Sequence, residues 1–171
     1  MSESFKHEKQ IRLAVLTVSD TRTEETDLGG KLVRKLAEEK GLHVAAYGIV
    51  PDDAQRIRQA VEDWLQEEKV DVIVTTGGTG IAKRDVTLEA VSPLFEKQLD
   101  GFGELFRYVS FSEDVGTKAL LSRAAAGVAG DKAIFVLPGS RGAVKLAMTR
   151  LVLPEIRHIV FELTKHHQPR E

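Results

Sequence analysis

The 171-residue chain contains no cysteine. That absence excludes disulfides, thiolate metal sites and cysteine nucleophiles together. There is no surplus of positive charge either: 24 Lys and Arg stand against 26 Asp and Glu, a formal net charge of −2. A general nucleic-acid-binding protein carries a clear basic excess, so no nucleic-acid partner is expected. No apolar run approaches the roughly 20 residues of a membrane-spanning helix; the longest, such as AIFVLP, are far shorter. The N-terminal MSESFKHEKQ is polar and has no apolar segment of the secretory type. A cytoplasmic protein with no membrane partner is the expectation.

Several catalytic signatures are missing too. The chain has no GxxxxGK(S/T) phosphate loop and no nucleophile elbow. No GxGxxG follows the first apolar run, where the turn reads Ser19-Asp20-Thr21-Arg22, so a dinucleotide fold of the usual kind is not expected. The histidines offer little. His7 lies in the arm and His166 and His167 in a polar tail, while the positions of His43 and His158 do not follow a metal-ligand spacing.

What is present is an ordinary globular composition, 42% hydrophobic and 29% charged, long enough for one domain with a real core. The expected organisation is a flexible arm over 1–11, a single domain over 12–164 and a polar tail over 165–171. A continuous apolar run at 12–18 predicts a strand of the buried parallel type, and further strands are expected at 43–50, 70–76 and 133–137. Between them, apolar residues recur at helical spacing over 28–40, with Gly41 as a stop, and over 53–68. Helices are also expected over 87–97, interrupted at Pro93, and over 101–111, 143–151 and 155–164, whereas 120–129 reads equally as helix or strand. Strand-helix alternation in the first half implies an α/β domain with a mainly parallel sheet and right-handed crossovers. In such sheets ligands bind beyond the carboxyl ends of the strands.

The loops at those ends carry the chemistry. Gly77-Gly78-Thr79-Gly80 follows the third strand. A run of amides freed from side chains can cradle an anion such as a phosphate, although a tight turn would also use glycine. Asp85 close by is electrostatically wrong for a phosphate unless a cation intervenes, and Mg²⁺ is the usual mediator. The alternative is a helix-start residue favoured by the dipole. Asp20 follows the first strand, and Asp52 and Asp53 the second. Each is either a helix cap or part of a carboxylate cluster. Pro138-Gly139-Ser140 closes the late strand and also suits close backbone approach. Phe102, Phe106, Tyr108 and Phe111 read as core packing or as an oligomer surface.

Ser19-Asp20, Asp27-x-Gly29, Pro51-Asp52-Asp53, Gly77-Gly78-Thr79-Gly80 with Arg84-Asp85-x-Thr87, Ser122-Arg123-x-x-x-Gly127 and Leu137-Pro138-Gly139 occur in that order. This pattern resembles the MoaB/MogA family of molybdenum cofactor biosynthesis proteins over nearly the whole chain. GFGELFR and LSRAAAG bring it nearer the MoaB branch. The resemblance implies a three-layer α/β/α fold of Rossmann-like topology and Mg-ATP-dependent adenylylation of molybdopterin, with release of pyrophosphate. It implies Asp52 and Asp85 as catalytic acids handling Mg²⁺ and ATP. Ser19, Asp20, Gly77, Gly78, Thr79, Gly80, Ser122, Arg123, Pro138, Gly139 and Ser140 would then bind substrate. It also implies a homo-oligomer, trimer or hexamer, and a molybdate-insertion enzyme as partner. Retention of Asp20, Asp52 and Asp85 favours an active enzyme; the alternative is a protein that binds molybdopterin or its adenylate without turnover.

Overall fold

A computed structural model describes residues 9–167. Most of the expected arm and of the expected tail therefore lies outside the described residues. At the described end of the arm, Ile11 is buried and the Lys9 ammonium donates to Asp71 at 3.1 Å.

Six strands form one sheet: β1 (Arg12–Val18), β2 (His43–Val50), β3 (Val72–Thr76), β4 (Lys97–Gln98), β5 (Ala125–Ala129) and β6 (Lys132–Leu137). Their order is β2-β1-β3-β6-β5-β4. Pairing is parallel from β2 through β6, and β5 runs antiparallel to both of its neighbours. The helices are α1 (Leu28–Glu39), α2 (Ala54–Leu65), α3 (Thr87–Val91), α4 (Asp100–Glu113), α5 (Arg141–Ala147) and α6 (Leu153–Thr164).

Helices cover both faces of the sheet, which is why β1, β3 and β6 read as unbroken apolar runs. Leu13, Val15, Val72 and Val74 pack in one layer with Val33 of α1, Phe106 of α4, Val144 of α5 and Ile156 of α6. On the other face Ala14, Leu16 and Ile73 meet Ile57 and Val61 of α2 and Val91 of α3. The three-layer α/β/α architecture is thus the one expected.

Three local expectations change. The helix expected over 87–97 ends at Val91. Pro93 sits in a 3₁₀ turn, Ser92–Leu94, and Lys97–Gln98 instead form the edge strand β4 against β5. The ambiguous segment 120–129 splits into the end of a 3₁₀ stretch, Gly116–Leu121, and strand β5. Its alanines favour a helix intrinsically, but the slot beside β6 pairs Ala125 to Ala129 with Val136 to Lys132, and pairing overrides propensity. Finally, α5 and α6 are not separate: a π-helical segment, Met148–Val152, joins them. Pro154 has no N–H and would crowd a carbonyl one turn back. The wider turn just before it accommodates that defect.

This topology places the site. The chain leaves β1 for β2 on one side, then crosses back to β3 on the other. The crevice beyond the carboxyl ends of β1 and β3 is therefore a topological switch point.

Candidate active site

A pocket of about 630 Å³ lies at that switch point, lined by Thr17, Val18, Ser19, Arg22, Asp27, Leu28, Gly29, Thr76, Gly77, Gly139, Ser140, Arg141 and Gly142. Of the expected site residues it gathers Ser19, Gly77, Gly139 and Ser140. Ser19 Oγ accepts from the amides of Thr21 and Arg22 at 3.2 and 3.1 Å and so folds the first loop. Ser140 caps α5 by accepting from the Ala143 amide at 3.2 Å. Both hydroxyls shape loops as well as face the pocket. Pro138 leads into this turn without lining the pocket.

The pocket has a buried acid that motif and spacing do not assign to the site. Asp27 is only 2% exposed. It caps α1 by accepting from the Gly30 amide at 3.0 Å, and it accepts from the Thr17 hydroxyl at 2.6 Å and from the Tyr47 hydroxyl. Burial first, and then the bond to Asp27, push the Tyr47 phenol above its usual range. The Arg34 guanidinium lies 3.8 Å over the Tyr47 ring. The floor of the pocket is thus a fixed polar network. Arg22 and Arg141 supply positive charge at its rim, where an anionic group would sit. Sequence does carry a signal for both: each ends a strand-end loop, in Ser19-Asp20-Thr21-Arg22 and Pro138-Gly139-Ser140-Arg141.

Asp20, Asp52 and Asp85 form a second group beside the pocket. Asp20 Oδ1 accepts from the Asp52 amide at 2.8 Å, tying the β1 and β2 loops together. Burial, then the negative charges of Asp20 and Asp85, raise the Asp52 carboxyl above the usual aspartate range, and Arg84 offsets part of this. Asp52 thus carries its negative charge at a cost, which a hard divalent cation such as Mg²⁺ would relieve. Asp85 also closes the turn after the glycines, its Oδ2 accepting from the Ala82 amide at 3.0 Å.

The glycine loop differs in part from the anion cradle expected. Gly77 and Gly78 have φ of +94° and +69°. A Cβ on Gly77 would lie 2.4 Å from the Val18 carbonyl oxygen, and one on Gly78 would lie 2.2 Å from Thr87 Oγ1. These two glycines are required first by the protein's own packing. The Gly77 amide is committed to the Leu137 carbonyl at 3.0 Å. Among the described residues, the amides of Gly78, Thr79 and Gly80 have no such acceptor. Gly77→Ala should therefore cost about 2 kcal/mol or more, from strained φ plus a backbone collision. Urea unfolding of the variant beside wild type checks this.

Arg123 faces this loop from behind. Its Nε donates to the carbonyls of Thr79 and Gly80 at 3.0 and 3.1 Å, and its Nη1 pairs with Glu89 at 2.6 Å. The Glu89 hydrogen bond holds the guanidinium above its usual range and the Glu89 carboxyl below its own. With these partners Arg123 braces the loop against α3. Ser122 is held by its backbone, whose carbonyl accepts from Arg107 at 3.3 Å. Neither Ser122 nor Arg123 lines the pocket.

Residues 14–158 match the family model described as "Probable molybdopterin binding domain". The chain is 59% identical over 164 residues to "Molybdenum cofactor biosynthesis protein B" of Staphylococcus carnosus, covering 95% of this chain and 96% of that protein. A crystal structure of a molybdenum cofactor biosynthesis protein B superposes with a TM-score of 0.90 at 55% identity, covering 94% of this chain and 98% of the other. The tungsten cofactor synthesizing protein MoaB from Pyrococcus furiosus gives 0.81 at 37% identity, covering 91% and 98%. With the fold, the switch-point pocket and these likenesses in agreement, the chain belongs to the MoaB/MogA family of molybdenum cofactor biosynthesis proteins, on its MoaB side.

Proposed function

We propose that this chain is a molybdopterin adenylyltransferase. In that reading the terminal phosphate of molybdopterin attacks the α-phosphorus of ATP. A phosphorus–oxygen bond to molybdopterin forms as the bond to pyrophosphate breaks. The nucleophile is already an anion, so no strong base is needed; positioning and charge neutralisation carry the rate. The observation that supports this most is the acid cluster set beside a pocket with a cationic rim.

The roles follow from placement. Asp52 and Asp85, with Asp20 adjoining, would hold Mg²⁺, which neutralises phosphate charge when bound. Arg22 and Arg141 would meet the molybdopterin phosphate at the pocket rim. The amides of Gly78 to Gly80 are available to phosphate oxygens. Asp27, Thr17 and Tyr47 keep the pocket floor rigid. Pyrophosphate release from Mg-ATP, followed with and without fresh molybdopterin, tests the reading. Molybdopterin-dependent release is expected. Binding of molybdopterin with no release would instead leave a carrier, whose product or ligand a molybdate-insertion enzyme would receive.

Asp52 carries a pH-dependent prediction. Its carboxyl is raised in the fold, so its ionised form destabilises the native state. The cost is absent below the unfolded aspartate value, near ~4, and appears as pH rises through the folded value. Asp52→Asn should therefore have a higher thermal midpoint than wild type at pH 7, with the advantage vanishing towards pH ~4. Mg²⁺ should raise the wild-type midpoint and narrow the gap. Thermal scans across pH, with and without Mg²⁺, check both.

We also propose self-association through α4. Phe102 and Phe106 are core residues, whereas Leu105, Tyr108 and Phe111 are exposed on the same helix, with Leu120 and Leu121 exposed in the following 3₁₀ stretch. The four aromatics thus divide between the two readings, because helical geometry sends Phe102 and Phe106 into the core and leaves Tyr108 and Phe111 outside. Sedimentation velocity should show trimers or hexamers; monomer alone would count against this face.

A further inference from the structure

The turn between β5 and β6 carries Asp131, and the 3₁₀ turn after α6, Lys165–His167, carries two adjacent histidines. The acid these two histidines meet is not a neighbour in the sequence. The fold supplies it in Asp131, which is 36 residues from His167 in the chain. Nε2 of His167 lies 2.6 Å from Asp131 Oδ2, and Nε2 of His166 lies 3.6 Å from Oδ1. The two imidazole centroids are 3.8 Å apart and tilted by 44°. One ligand atom from each of the three residues falls within 4.8 Å of the others.

We propose that Asp131, His166 and His167 form a site for a borderline divalent transition-metal ion of the Zn²⁺ type. Two imidazole nitrogens and one carboxylate oxygen suit zinc, nickel or cobalt, whereas Mg²⁺ and Ca²⁺ prefer all-oxygen sets. Tetrahedral Zn²⁺ with bonds of ~2.0–2.1 Å places its ligand atoms about 3.3 Å apart. The two histidine nitrogens face different oxygens of the Asp131 carboxylate, at 3.6 Å and 2.6 Å, so small rotations of these exposed side chains would bring one oxygen and both nitrogens to that spacing. Three protein ligands leave the fourth position for water.

The surroundings leave this set available. Lys132, the next residue after Asp131, gives its ammonium to the carbonyls of Glu67 and Val70. Lys9 and Arg12 are both paired with Asp71. The site lies at the amino end of β6, whereas Gly139 and the pocket lie beyond its carboxyl end, about 20 Å away for a six-residue strand. It is therefore separate from the acid cluster. A bound ion would tie the end of α6 to the β5–β6 turn and close a long chain loop.

The test is a calorimetric titration of Zn²⁺ alone into the full chain, made without a histidine tag and with excess Mg²⁺ to occupy hard-donor sites. One Zn²⁺ per chain is expected, with a rise in thermal midpoint. Asp131→Asn and His167→Gln should each bind at least about tenfold more weakly and lose that rise, while His43→Gln should bind as wild type. Co²⁺ in place of Zn²⁺ should give the visible absorption of a tetrahedral site. Absence of Zn²⁺ uptake would overturn the proposal. So would uptake unchanged by Asp131→Asn, since adjacent histidines would then be binding the ion without the fold's contribution.

Discussion

Asp85→Asn should remove molybdopterin-dependent pyrophosphate release by at least about 100-fold while leaving the fold intact. The substitution is isosteric. An asparagine carbonyl oxygen can still accept from the Ala82 amide that Asp85 Oδ2 accepts from at 3.0 Å, so the turn survives. Arg123 reaches the Asp85 backbone carbonyl, not its carboxylate, so that brace survives as well. What disappears is one of the two negative charges that act on the Asp52 carboxyl. If these acids hold Mg²⁺, the loss falls on catalysis. If the protein only binds molybdopterin, there is no turnover to lose, and removing an acid should tighten phosphate binding. Paired assays of release and binding on the same two preparations separate these results. A fully active Asp85→Asn would exclude Asp85 from the chemistry.

Asp27→Ala should cost about 3 kcal/mol of stability, a large share of the ~5–15 kcal/mol that holds a typical domain together. Three donors lose their acceptor at once: the Thr17 hydroxyl, the Tyr47 hydroxyl and the Gly30 amide. The helix α1 loses its cap, which alone is worth about 1 kcal/mol. Water entering from the adjoining pocket will satisfy part of the deficit, which keeps the figure below the ~3–5 kcal/mol of a fully enclosed broken pair. Asp27→Asn should recover only part, because its single carbonyl oxygen cannot serve both the Gly30 amide, which Oδ1 accepts, and the two hydroxyls, which Oδ2 accepts. Chemical denaturation of the three proteins orders them wild type, Asn, Ala. Equal stability of Ala and wild type would show that the network carries no structural weight.

Much of the architecture is legible in the sequence because it rests on local patterning. The runs RLAVLTV and AIFVL read as strands since burial on both faces leaves no polar alternation. The failures lie where two elements compete. Residues 120–129 have an alanine-rich composition that permits a helix, and only the vacant lane between β6 and β4 makes them a strand. The helix start at Thr87 is clear, but its early end depends on Lys97 and Gln98 finding β5. In the site, Ser19, Gly77, Gly139 and Ser140 reach the pocket because all follow strands that end on one edge. Arg123 is harder to read: as a charge after a serine it resembles a ligand contact, and only its reach to the Thr79 and Gly80 carbonyls reveals a brace.

The sequence by itself determined the α/β class, the edge of the sheet where chemistry collects and the family to which the chain belongs. Hydrophobic period, glycine placement and loop motifs are local properties, and they survive in one dimension. The tertiary structure alone decided which loop residues share a cavity, why Gly77 and Gly78 must be glycine, and that Asp27 rather than a nearer acid is buried at the pocket floor. It also brought His166 and His167 against Asp131. These are matters of distance between segments far apart in the chain. Such distances are set by strand order and packing, to which no short stretch of sequence has access.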